Sequence, residues 1–165
     1  MLAPSALHSN SSTRSQCVIC YVIYYGIPSG LGKVHEMSVT TARPGLRGYQ
    51  DSVRLTLPEV VSDLRDALGA KLVAYLGGVG ETRAVRDWAD GQRTPSDAAA
   101  QRLRTAFQIV ALLREREGAS TVASWFQGLN PELGDRSPAR VLREDAAEMA
   151  GAEVLAAARS FVALG

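Results

Sequence analysis

From Thr56 to the C-terminus the chain is punctuated by helix starts and stops, and no stretch after residue 52 shows the period-two alternation of a strand. Thr56-Leu57-Pro58-Glu59 reads as a capping box with proline in the first turn, where a missing N–H leaves no helical hydrogen bond unmade. Leu57, Val60, Val61, Leu64, Ala67 and Leu68 follow at the spacing of one helix face, and Gly69 ends the run. A short helix over about 70–76 carries Leu72, Val73 and Leu76, and Gly77-Gly78-Val79-Gly80 is a turn. A third helix over about 81–90 has Val85 and Trp88 on one side and closes at Gly91. Thr94-Pro95-Ser96-Asp97 opens a fourth, running to about Glu117 with Leu103, Phe107, Val110 and Leu113 inward. Gly118 stops it. Further on, Ser120 is placed to cap a helix bearing Val122, Trp125 and Phe126, while Asn130-Pro131 and Ser137-Pro138 are two more cap-plus-proline starts. Val141 and Leu142 supply apolar contacts after the second start, and a final helix over about 151–164 carries Val154, Leu155, Ala158, Phe161 and Val162. The pattern predicts an all-α fold.

The first third reads differently. Leu2 to Ser15 is rich in Ser, Asn and Thr, and Cys17 to Ile27 is a strand-like apolar run followed by the loop Pro28–Gly32. Arg14 ahead of that run gives a weak signal-peptide pattern, with no Ala-x-Ala site after it. Met37 reads as a second start, which makes residues 1–36 upstream sequence without function. Residues 38–51 form a polar arm containing Pro44, Gly45 and Gly48, made basic by Arg43 and Arg47. Together these predict a disordered leader and linker over 1–51. Cys17 and Cys20 form a lone Cys-x-x-Cys; a structural zinc site needs four ligands and only two are on offer.

Composition narrows the function classes. About half of the 165 residues are apolar, enough for a core, and no apolar run reaches the roughly 20 residues that cross a bilayer. The net charge of +1 selects no partner by itself, so any nucleic-acid binding has to come from a local patch. Both histidines, His8 and His35, precede Met37, so residues 38–165 contain neither histidine nor cysteine. No Ser-His, Cys-His or metal constellation can form there, which argues against an enzyme, and no cofactor is expected.

The segment Lys71 to Gly91, two short helices around a glycine turn, fits a helix-turn-helix. Leu72, Val73, Val79, Val85 and Trp88 would lock the helices together, and the second would present Thr82, Arg83 and Arg86 to a major groove. Arginine bonds guanine bidentately, and threonine touches a thymine methyl or a phosphate. Lys71 and Arg93 flank the reading helix and complete the DNA-binding set. Against this, helix–turn–helix pairs occur in many all-α folds that never meet DNA. Residues 52–117 hold ten Lys/Arg against nine Asp/Glu, and Glu81, Asp87 and Asp90 lie on or beside the reading helix, where they would repel phosphates.

Leu72 to Gly91 with the following Arg93-Thr94-Pro95, and then Trp125-Phe126, Asn130-Pro131-Glu132-Leu133-Gly134, Ser137-Pro138 and Val141-Leu142-Arg143, occur in an order and spacing that resembles the Xre/MbcA/ParS antitoxin family, the partners of RES-domain toxins. The resemblance covers roughly residues 55–164. It implies a cytoplasmic two-domain antitoxin of a type II toxin–antitoxin system. Residues 52–117 would dimerise and bind the operon's own operator DNA. Residues 118–165 would pack on a RES-domain toxin that consumes NAD or transfers ADP-ribose from it, and block its active site. With Trp125, Leu133 and Leu142 read as core, partner contacts fall to Asn130, Arg136, Arg140, Arg143 and, on the last helix, Phe161. The alternative is a stand-alone helix-turn-helix transcriptional repressor.

Overall fold

In the computed structural model, residues 45–164 are described, and every regular element among them is helical. The helices are α1 (Leu46–Arg54), α2 (Leu57–Leu68), α3 (Ala70–Gly77), α4 (Thr82–Ala89), α5 (Asp97–Leu113), α6 (Ala119–Gln127), α7 (Pro138–Glu144) and α8 (Ala147–Leu164), with a 3₁₀ turn at Pro131–Leu133. The fold class is all-α, as the helical spacing requires. No helix among the described residues is long and apolar enough to cross a membrane.

Local chemistry sets most of these boundaries. At the start of α2 the Thr56 N–H and hydroxyl both donate to the Glu59 carboxylate, at 2.8 and 2.6 Å. Those bonds hold the Glu59 carboxyl below its ordinary value of 4.5. Ser96 Oγ accepts from the Ala99 N–H at the start of α5, and Ser137 Oγ from the Arg140 N–H at the start of α7. Asn130 also caps, but what it opens is a single 3₁₀ turn.

Four boundaries differ from the sequence expectation. α5 ends at Leu113, four residues before Glu117, and the chain turns over 114–117. α6 is entered through Gly118, and Ser120 lies inside it without a capping role. α8 begins at Ala147, four residues before Gly151. A Cβ on Gly151 would stand 3.1 Å from Thr105 Cγ2, so this glycine marks where α8 crosses close to α5 and not where a helix starts. The last difference concerns the expected linker. Residues 45–51 are not a linker but part of α1, which lies along α5. Gly48 makes that possible, because a Cβ there would be 2.6 Å from the Ala111 Cβ. The Arg104 guanidinium donates to the Ser52 and Leu55 carbonyls at the C-terminal end of α1, and Gln108 Nε2 donates to Ser52 Oγ at 2.8 Å. Polar side chains of α5 therefore hold a segment whose own sequence is too hydrophilic to announce a buried face. Residues 1–44, with Cys17, Cys20, Met37 and Arg43, lie outside the described residues.

α5 is the centre of the packing: α1, α2, α3 and α8 all lie against it. The core runs through Val60, Val61 and Leu64 of α2, Val73 and Leu76 of α3, Val85 and Trp88 of α4, and Leu103, Ile109 and Leu113 of α5. It continues without a break into Val122, Phe126, Leu133, Leu142, Val154 and Val162. α6 packs on α2, α7 on α3 and α8 on α5. The expected boundary at 117/118 thus falls in the turn between α5 and α6, while the helices on both sides bury one common set of side chains. At about 25 cal/mol per Å² of apolar surface, that sharing makes each block's stability depend on the other.

Candidate functional site

Where α3 passes into the four residues that join it to α4, glycine is needed for two separate reasons. Gly78 sits at φ 77°, the left-handed conformation that ends α3, and its N–H donates to the Tyr75 carbonyl while the Val79 N–H donates to the Ala74 carbonyl. Gly77 is helical, and its missing side chain is the seat of Trp88: a Cβ there would lie 2.6 and 2.8 Å from two atoms of the indole ring. Trp88 is 5% exposed and Val85 fully buried, which fixes the rotation of α4 about its axis. Thr82, Arg83 and Arg86 are then all exposed. Lys71, in the first turn of α3, and Arg93, after the left-handed Gly91, are exposed as well. The five residues expected to meet DNA therefore stand at the surface of one helix pair and its flanks.

Their charge environments differ. Arg83 and Arg93 line a shallow cleft of about 450 Å³ together with Glu81 and Asp87, so carboxylates dilute the positive potential there. In a second cleft of about 320 Å³, which shares no lining residue with the first, Lys71, Tyr75, Val79, Gly80, Thr82 and Arg143 take part and no acidic residue does.

Arg143 belongs to α7, and the structure brings it to α3. Its guanidinium donates to the Tyr75 carbonyl at 2.9 Å and lies 4.4 Å from the centre of the Tyr75 ring. Arg102 of α5 donates in the same way to the Leu76 carbonyl, at 3.0 Å. Two arginines from distant parts of the chain thus satisfy C-terminal carbonyls of α3, where the helix dipole favours positive charge. From sequence alone Arg102 has no assigned role and Arg143 stands among the expected partner contacts. Neither residue's own neighbours in sequence carry a signal for α3, which lies 26 and 68 positions away.

The other expected partner contacts are engaged within the chain. Arg136 makes a two-pronged bond to Asp145, at 2.9 and 2.6 Å. That bond holds the guanidinium above its ordinary value and the Asp145 carboxyl below its own. Arg140 donates to Glu144 one turn on, at 2.8 Å, which likewise raises its pKa. Asn130 organises a tight loop: its side chain accepts from the Glu132 N–H, its carbonyl accepts from the Leu133 and Asp135 N–H groups, and its own N–H donates to the Arg136 carbonyl. Gly134 and Asp135 take φ values of 65° and 58° to close that loop. Phe161 is half-buried, its ring 6.2 Å from that of Trp125, which in turn meets Phe126 edge-on at 5.4 Å. Leu133 and Leu142 are core residues, as read from the sequence, while Trp125 is half-exposed. Leu129, beside Asn130, is 76% exposed.

Comparison with protein-family models, with curated proteins and with solved structures gave no match.

Proposed function

We propose that this chain is the antitoxin of a type II toxin–antitoxin pair, binding operator DNA through α3 and α4 and a RES-domain, NAD-consuming toxin through its C-terminal third. One observation supports the DNA-binding part above all others. α4 buries Val85 and Trp88 on one side and exposes Thr82, Arg83 and Arg86 on the other. A helix seated in this way on a partner helix, with arginines outward, is what a recognition helix needs to enter a major groove. Lys71 and Arg93 would then contact flanking phosphates, and a homodimer would read two half-sites.

The toxin-binding part rests on the resemblance carried by the Asn130–Gly134, Ser137-Pro138 and Val141–Arg143 segments. The half-exposed Trp125–Phe161 pair and the exposed Leu129 supply apolar surface of the kind that anchors an interface, and Arg136 and Arg140 supply a polar rim. Inhibition would be steric: the antitoxin covers the toxin's NAD cleft and contributes no chemistry of its own.

The second reading, a stand-alone repressor, draws on the common core. α6, α7 and α8 complete the fold that carries α3 and α4, which is what a single-purpose DNA-binding module would also show. Co-purification separates the two. Tagged full-length chain is recovered from its native cells and whatever is retained is identified, then tested for NAD consumption with and without the chain. Recovery of a RES-domain protein that the chain silences supports the antitoxin; specific operator binding with no protein partner supports the repressor. Because the core is shared, surface variants such as Arg83→Ala with Arg86→Ala, or Phe161→Asp, are used in place of truncations.

A further inference from the structure

In the cleft lined by Lys71, Tyr75, Thr82 and Arg143, beside α4, two cations meet without a carboxylate in the lining. Arg136 and Arg140 are each paired with an acidic side chain, whereas Arg143 has no carboxylate within ion-pair distance among the described residues. A guanidinium carries five N–H donors. The Tyr75 carbonyl takes one of them, and the group lies 4.4 Å from the centre of the Tyr75 ring. The remaining donors belong to a half-buried charge that no carboxylate among the described residues compensates, held in place by α3, with Lys71 and Thr82 on the same cleft. Thr82 opens α4, whose first N–H groups have no partner within the helix. A planar cation, an ammonium, a hydroxyl and a helix start, all lining one groove of about 320 Å³, suit one ligand chemistry, a phosphate oxyanion.

We infer that Arg143, although it belongs to the C-terminal third, is a phosphate contact of the DNA-binding surface, clamping the duplex backbone with Lys71 and Thr82 while α4 lies in the groove. This rests on the DNA-binding reading above and extends it. The C-terminal third is then part of the nucleic-acid interface, and Arg143 is withdrawn from the toxin-facing set.

The test measures affinity for a short mixed-sequence duplex across a salt series. Each phosphate contact contributes about 0.9 to the slope of log K against log salt. Arg143→Gln is expected to lower the magnitude of that slope by about 0.9, Arg143→Lys to restore it, and Arg159→Gln, which removes an exposed charge on α8, to leave it unchanged. If Arg143 only supports α3, the Gln variant weakens binding without changing the slope, and the inference falls. Should Arg143→Gln fail to fold, the wild-type side-chain Nε–H resonances give the answer. The Arg143 signal is expected to move on titration with duplex while the Arg102 signal stays. An Arg143 signal that ignores duplex overturns the assignment, whether or not inorganic phosphate moves it. A wild type that binds no duplex at any salt removes the DNA-binding reading itself, an outcome distinct from an unchanged slope.

Discussion

Replacing Gly77 by alanine tests whether the seat of Trp88 positions α4. The added Cβ would stand 2.6 and 2.8 Å from two ring atoms, where ordinary contact begins near 3.4 Å. The ring has to move by more than half an ångström, yet Trp88 is only 5% exposed and belongs to a short helix whose other inward residue, Val85, is fully buried. The strain therefore passes to α4 as a whole. Overpacking of this kind costs about 1–3 kcal/mol. Alanine's helix propensity returns at most about 1 kcal/mol, and less at the last residue of a helix. The net expectation is a loss of about 1–2 kcal/mol, or a melting temperature lower by about 3–10 °C for a domain of this size. Thermal unfolding followed by circular dichroism measures it. Gly118→Ala is the control, because a Cβ there meets nothing within 4 Å, and its effect should stay within about 0.5 kcal/mol. Trp88→Phe in the Gly77→Ala background should recover part of the loss, since the smaller ring vacates the clash. A Gly77→Ala protein as stable as the parent would refute the reasoning and show that α4 is not held by this contact.

Arg83→Ala with Arg86→Ala should leave the melting temperature within about 2 °C, because both side chains are exposed, while specific operator binding weakens by about 1–3 kcal/mol for each arginine that contacts a base; unchanged anisotropy titrations would place the reading surface elsewhere. Asn130→Ala removes the cap of the 3₁₀ turn and should lower stability by about 1 kcal/mol, checked by chemical denaturation. The Arg136–Asp145 pair carries a pH signature. The Asp145 carboxyl is held below its ordinary 3.8 by Arg136, so the pair's contribution is complete at neutral pH and disappears as pH falls from that value through the lower one of the folded state. Asp145→Asn should therefore melt below the wild type at pH 7 and converge with it in acid; a constant gap across that range would count against the pair. Gly48→Val should detach α1 from α5, detected as faster amide exchange across residues 46–54, and wild-type rates there would mean that α1 does not depend on this approach.

Periodicity and caps carry enough information to place helices because both act over a few residues. The Thr56 box, the Ser96 and Ser137 caps and the glycines that close α2 and α3 each satisfy backbone groups that lie beside them in sequence. The inward positions of α2, α4 and α5 follow for the same reason, since a helix face repeats on its own. Gly48 and Gly151 misled the reading because a glycine that ends a helix and a glycine that lets two helices touch look identical in one dimension. Only the partner, Ala111 or Thr105, tells them apart. The same holds for the arginines. Arg83 and Arg86 are legible as outward because the apolar face of α4 leaves them nowhere else to point. Arg102 and Arg143 owe their positions to carbonyls 26 and 68 residues away on α3, and nothing in their local sequence distinguishes them from the paired Arg136 and Arg140. What sequence determined by itself was therefore the helices from α2 onward and most of their inward faces. The folding of α6, α7 and α8 onto α2, α3 and α5, which joins the two halves in one core and brings Arg143 beside α4, was decided by long-range packing that no local pattern encodes.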